Sequence, residues 1–207
     1  MPGCMSTVAR WALMLGLTSS LLLGSEPASA QSKTWKPLAG KSEVMFAVKF
    51  RMGDFSGRSE AVSGELKFDP ADLRQPVAGS LTVEASTLRT GVDGRDRDLR
   101  KTMETDRFPQ IRFQVESAEA SFPNITDKAD VLLTIHGQMF IRDVQRPMTF
   151  LGRVRSREGG RNGTGLWVRG DAFLKMTDFG ITPPRRLFMA VEDQVVVTFD
   201  LTLVPAE

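Results

Sequence analysis

The chain has 207 residues, 27 Lys and Arg against 25 Asp and Glu, one His and one Cys. A net charge of +2 with acids and bases interleaved excludes a general nucleic-acid binder, which needs a concentrated basic face. The lone Cys4 excludes an internal disulfide and a multi-cysteine metal site.

The chain opens with Arg10, an apolar run from Trp11 to Leu23, and Ala28-Ser29-Ala30. Charge, apolar core and small-residue cleavage site in that order predict a signal peptide over residues 1–30, cut after Ala30, and hence a periplasmic protein. The alternative, an uncleaved anchor, is disfavoured because the run of about thirteen residues falls short of the roughly 20 that span a bilayer. Residues 31–207 then form a single domain, large enough for a core without disulfide staples.

Period-two alternation dominates this domain. It predicts strands over 42–50, 61–69, 79–86, 110–121, 130–141, 146–156, 164–175 and 193–204, because alternating faces mark half-buried antiparallel strands. Asp69-Pro70 ends one strand, and Gly159–Gly163 is a hairpin loop rich in residues that tolerate positive φ. Gly91–Thr105 is charged and lacks alternation; Val92, Leu99 and Met103 share a face there, which predicts a short helix.

Eight such strands predict an all-β, eight-stranded antiparallel up-and-down barrel, with one or two short helices in its connections. A sandwich is the alternative; runs of about twelve residues, near 40 Å at about 3.3 Å per residue, favour a tall barrel. An outer-membrane barrel is disfavoured. The chain has no Tyr, so aromatic girdles are missing. The outer register also carries Glu65, Lys67, Arg112, Glu116, Arg153, Arg155, Arg169 and Asp171.

The inner register is apolar. It holds Val44, Phe46, Val48, Leu66, Phe68, Leu81, Val83, Ile111, Phe113, Val115, Leu133, Ile135, Phe150, Val197 and Phe199. These residues either line a lumen or meet as a filled core, and periodicity leaves both open. Met139, Met148, Met176 and Met189 serve equally as adaptable lining or gap-filling core. Thr90, Arg95, Asp96 and Asp178 are candidates for a polar mouth, with Phe179 shaping one lumen end; a salt-bridged helix start and a plain turn are the ordinary alternatives. His136 lacks catalytic or metal partners on its own strand, so no catalytic residue and no metal site are predicted. Leu132, Phe140, Leu151, Trp167, Phe173 and Val196 fall on the outer register. This apolar patch is expected to be covered, by Gly91–Thr105 or by a second copy of the chain.

Six segments in order carry a family resemblance. They are Gly64-Glu65-Leu66-Lys67-Phe68-Asp69, Ala85–Gly91 leading into Arg95–Leu99, Phe108–Phe113, Arg146–Phe150, Thr177-Asp178-Phe179-Gly180-Ile181 and Val191–Val195. Together they resemble the YceI-like, or polyisoprenoid-binding, family over roughly Thr34–Leu203. The resemblance implies a lipocalin-like periplasmic barrel without catalysis or cofactor, a lumen rather than a filled core, and a bound isoprenoid chain such as a polyprenyl or quinone tail. It also implies a homodimer. Two departures touch polar contacts. Asp98 stands where the family often has His, and Arg142-Asp143 where it often has His-Gly; His136-Gly137 lies six residues too early to replace it. Two competing readings are an interaction protein docking on a membrane redox partner without a bound lipid, and a cofactor-free enzyme. The second is poorly supplied with acid–base groups of near-neutral pKa.

Overall fold

A computed structural model describes residues 32–51, 53–157, 165–186 and 189–206. The strands are β1 (Lys33–Pro37), β2 (Glu43–Phe50), β3 (Gly53–Ser59), β4 (Val62–Phe68), β5 (Ala78–Glu84), β6 (Gln110–Ala120), β7 (Val131–Ile141), β8 (Val144–Arg157), β9 (Gly165–Lys175), β10 (Arg185–Arg186) and β11 (Met189–Pro205). Helix α1 (Asp93–Met103) lies between β5 and β6, and 3-10 turns occupy Ala85–Thr87 and Met176–Phe179. The expected hairpin loop at Gly159–Gly163 and the expected signal peptide lie outside the described residues.

All pairings are antiparallel, and the ring runs β1-β4-β5-β6-β7-β8-β9-β11 and back to β1, a closed eight-stranded barrel. Each of the eight alternating runs is a strand. β1 and β2 follow one another along the same edge of β11, Trp35 opposite Pro205 and Val48 opposite Val195. The break between them is bridged by buried Ser42. Its Oγ accepts from the Thr202 N–H at 3.2 Å, and Leu38 N donates to the Thr202 carbonyl at 2.7 Å. A side chain there replaces a missing rung of the ladder.

Periodicity misses β1, β3 and β10. β3 carries one large apolar residue, Phe55, because its inner face must leave room. A Cβ on Gly57 would stand 2.4 Å from the Phe46 ring and 2.9 Å from the Arg89 carbonyl. Glycine there lets Phe46 fill the inner side of β3. A bulge in β6 puts Val115 opposite Gly137 but Ser117 opposite His136, so Glu116 is the extra residue. The bulge flips the alternation: Ile111, Phe113 and Val115 face inward before it, Ala118 and Ala120 after it.

His136-Gly137 sits in mid-strand β7, and Arg142-Asp143 forms the two-residue β7–β8 turn, Arg142 at φ 58°. Arg142 is mostly buried. It pairs with Glu104 and donates from Nη1 to the Gly180 carbonyl at 3.0 Å, tying the end of α1 to the second 3-10 turn.

Candidate lipid-binding lumen

The barrel is hollow. A cavity of about 420 Å³ follows its axis, within the roughly 300–1,000 Å³ of small-molecule sites. At one end the β4–β5 and β6–β7 connections cross and bond to each other, Leu73 N to the Pro123 carbonyl at 2.6 Å and Ile125 N to the Pro70 carbonyl at 2.9 Å. Leu73, Val77 and Ile125 face inward there and form an apolar floor. At the other end α1 turns Arg95, Asp98, Leu99, Thr102 and Met103 to the cavity, beside Phe50, Phe55 and Pro184.

Fifteen of the expected lumen residues line this cavity. They are Val44, Phe46 and Val48 on β2, Leu66 and Phe68 on β4, Leu81 and Val83 on β5, Ile111, Phe113 and Val115 on β6, Leu133 and Ile135 on β7, Phe150 on β8, and Val197 and Phe199 on β11. Phe113, Phe150 and Phe199 form a mid-barrel aromatic contact, Phe150 lying 4.9 Å and 5.2 Å from its neighbours by ring centroid. Phe179 does not join them; it is buried at 2% exposure as the anchor of its 3-10 turn, and Gly180 caps that turn at φ 66°. Met139 and Met176 line the cavity and Met148 is buried beside it. The side chain of Met189 lies outside the described residues.

Of the four expected mouth residues, Arg95 alone faces the cavity. Its guanidinium sits 4.7 Å above the Phe55 ring, and Phe55 packs edge-on to Phe46 at 6.4 Å. Thr90 and Asp96 bind each other instead. Buried Asp96 Oδ1 accepts from Thr90 N at 2.7 Å and Thr90 Oγ1 at 2.5 Å. The Thr90 hydroxyl, then its N–H, hold the Asp96 carboxyl below its ordinary range. Asp178 is exposed on the second 3-10 turn. Asp193 fixes that turn to β11 by accepting from Thr177 N at 2.9 Å and Thr177 Oγ1 at 2.6 Å, and its carboxyl is lowered by the same two bonds.

Sequence periodicity misses the floor and the inner face of α1. Leu99 and Met103 were legible as a helical pair, but Val92 is 48% exposed and leaves that face. Asp98 and Thr102 carried no apolar signal, and Ala118 and Ala120 were hidden by the bulge.

The outer patch corrects an expectation. Helix α1 lies at the mouth and does not cover it: Leu132, Leu151 and Phe173 are 63%, 65% and 66% exposed. Trp167 and Phe140 are shielded differently. Arg155 and Arg153 stand 4.8 and 5.5 Å above Trp167, whose Nε1 donates to Asp200 at 2.7 Å. Arg112 stands 4.3 Å above Phe140. His136 lies on the outer wall, its Nδ1 2.9 Å from Thr149 Oγ1 and its Nε2 4.0 Å from Glu119. No cluster of His, Cys, Asp and Glu able to hold a metal occurs among the described residues.

Fold and cavity thus define a closed antiparallel barrel around an apolar tube. The YceI-like domain family matches residues 35–203, and the chain belongs to it. No curated protein matches the chain. Its fold is similar to that of Burkholderia cenocepacia BcnA, at 17% identity and a TM-score of 0.65, over 81% of this chain and 99% of that one. A polyisoprenoid binding domain from Saccharophagus degradans, implicated in plant cell wall breakdown, is similar at 14% identity and 0.61, over 83% and 98% of the two chains. The Campylobacter jejuni YCEI protein is similar at 16% identity and 0.58, over 73% and 84%.

Proposed function

We propose that this chain is a non-catalytic periplasmic binding protein that holds a long-chain isoprenoid lipid, polyprenyl or quinone-like, in the barrel lumen. One observation carries the reading: the tube runs from the α1 end to the crossed loops, and among its described lining residues only Gln75, Arg95, Asp98 and Thr102 are polar. Such a wall offers little to a sugar, peptide or nucleotide and much to a hydrocarbon. At about 0.8 kcal/mol per buried methylene, each isoprene unit contributes roughly 4 kcal/mol gross. Association costs about 4–15 kcal/mol, so one or two units hardly offset it and a longer chain does. The family and the polyisoprenoid-binding relative support the same ligand class.

The test is organic extraction of the purified protein followed by mass spectrometry, with reloading by a long-chain prenol. Prenyl-containing species are expected from the wild type. Phe113→Glu, which puts a carboxylate at the narrow aromatic contact, is expected to release them. Extracts without any prenyl species, together with no uptake of added prenol, would refute the reading. Intact mass of the exported protein tests cleavage after Ala30.

The outer wall favours a second reading. Leu132, Leu151 and Phe173 lie on a diagonal across β7, β8 and β9, and Phe173 continues through its partner Val196 to Ala47 on β2. This stripe is where a membrane redox partner, or a second copy in a homodimer, would dock. A pull-down that survives Phe113→Glu but is lost with Leu151→Glu would favour it.

A further inference from the structure

The crossed-loop end of the tube is a built stop. Leu73, Val77 and Ile125 stand across it with their apolar side chains toward the cavity. The backbone behind them is fastened on several sides. Besides the two bonds that cross-link the loops, Ala71 N donates to Asp69 Oδ1 at 2.8 Å, and Ser156 N at the end of β8 donates to the Thr126 carbonyl at 3.1 Å. A hydrocarbon carries no group that competes for such bonds, so a tail entering the tube meets this end and does not open it. Nor does β6 obstruct the way there. From its bulge onward it presents only Ala118 and Ala120 to the cavity, which leaves room for a ligand to reach the loops.

The distance from mouth to stop fixes a length. On β7 the lining runs from Leu133, next to the loops, to Ile141, next to the Arg142 that is tied to the end of α1. At about 3.3 Å per residue and a tilt of about 40°, that stretch rises about 20 Å along the barrel axis. An extended isoprene unit advances by a zigzag of carbon–carbon bonds of about 1.5 Å, or about 5 Å in all. The tube thus spans about four units. Volume gives the same number, since a cavity of about 420 Å³ holds four times the roughly 100 Å³ that one unit occupies at interior packing density.

We propose that the crossed loops are the stop of a chain-length ruler: the lumen takes an isoprenoid tail end-first up to about four units, and Leu73 and Ile125 at the stop, with Ala118 and Ala120 beside it, set that number. A further unit stays outside the wall with its methylenes in water. It adds nothing to binding and, for a tail drawn from a membrane, it loses its apolar surroundings. This rests on the lumen-binding reading above and narrows it to one range of tail length.

The test equilibrates the purified, delipidated protein with neutral phosphatidylcholine vesicles that carry an equimolar ladder of all-trans prenols, from well below to well above this length. Mass spectrometry then measures how much of each prenol has moved to the protein. Transfer is expected to peak at about four units and to fall by about tenfold or more for each unit beyond. Leu73→Ala combined with Ile125→Ala removes about one unit's volume from the stop and should move the peak up by about one unit. Ala118→Leu combined with Ala120→Leu fills the same end, leaves the loops untouched, and should move the peak down by about one unit. The second pair keeps the test available if the first folds poorly. A peak that neither pair moves overturns the ruler and leaves lumen binding intact. So does transfer that is level, or still rising, through the longest prenol. Transfer of no prenol at any length overturns the lumen reading, and the ruler with it.

Discussion

Helix α1 is held on the barrel by polar latches, and removing one has a calculable effect. Its sequence is mostly charged, and Asp96 is its one buried residue. Asp96→Ala deletes two hydrogen bonds from Thr90, at 2.7 and 2.5 Å, to a residue only 7% exposed. Bonds to a charged acceptor contribute about 1.5–3 kcal/mol each; these two share one oxygen, and half-buried Thr90 recovers water, so the pair is worth roughly 2–3 kcal/mol. At about 2–4 °C per kcal/mol for a domain of this size, Tm falls by roughly 5–10 °C near neutral pH. The pH dependence supplies a sharper test. The Asp96 carboxyl is held below its ordinary 3.8, so the folded state favours the ionised form. Its stabilisation is fully present above that ordinary value and is lost as pH falls through the lowered folded one. Denaturant melts of wild type and variant should therefore differ by a constant amount from pH 7 down to about pH 5, and the gap should narrow as the pH falls below the carboxyl's ordinary value. Asp96→Asn, a neutral acceptor, should fall about midway at neutral pH. A gap that persists undiminished in acid, or no gap at neutral pH, would refute the latch and move the anchoring of α1 to its apolar contacts.

Two further changes probe the wall. Gly137→Val places a Cβ 2.1 Å from the Gln114 carbonyl oxygen and 2.8 Å from the Phe113 ring; backbone cannot yield there, so a loss of more than about 3 kcal/mol is expected, seen as a collapse of the urea midpoint, and a near-neutral result would mean the bulge is placed wrongly. Trp167→Phe removes the 2.7 Å bond to Asp200 at a cost of about 1 kcal/mol; made in a protein expressed from Gln31 onward, it leaves Trp35, 2% exposed and stacked at 5.6 Å on Phe68, so the remaining fluorescence should be blue-shifted and resist iodide, whereas a quenchable signal would contradict the burial of Trp35.

The strands and their inward faces were legible in the amino-acid order because a wall one residue thick imposes period two on every strand that crosses it. Fifteen lumen residues followed from that single constraint, and the charged outer register from its complement. What the order of residues left open was whether those faces meet. Val44 opposite Phe199 reads the same in a solid interior as in a tube; the answer depends on how many strands close the ring and on the bulge that turns Ala118 and Ala120 inward in place of larger residues. The mouth was legible only in part for a similar reason. Arg95, Asp98 and Thr102 become neighbours of the lumen because α1 is laid across the barrel end by Thr90–Asp96 and Glu104–Arg142, contacts between residues whose meeting no local pattern announces. Thr90 and Asp96 looked like part of that mouth and proved to be its fastening, since a carboxylate satisfied by a neighbouring N–H and hydroxyl has little left to offer a ligand. Local periodicity thus determined which side of each strand is apolar; closure of the sheet alone decided that this side surrounds a tube, and the seating of one polar helix decided what stands at its opening.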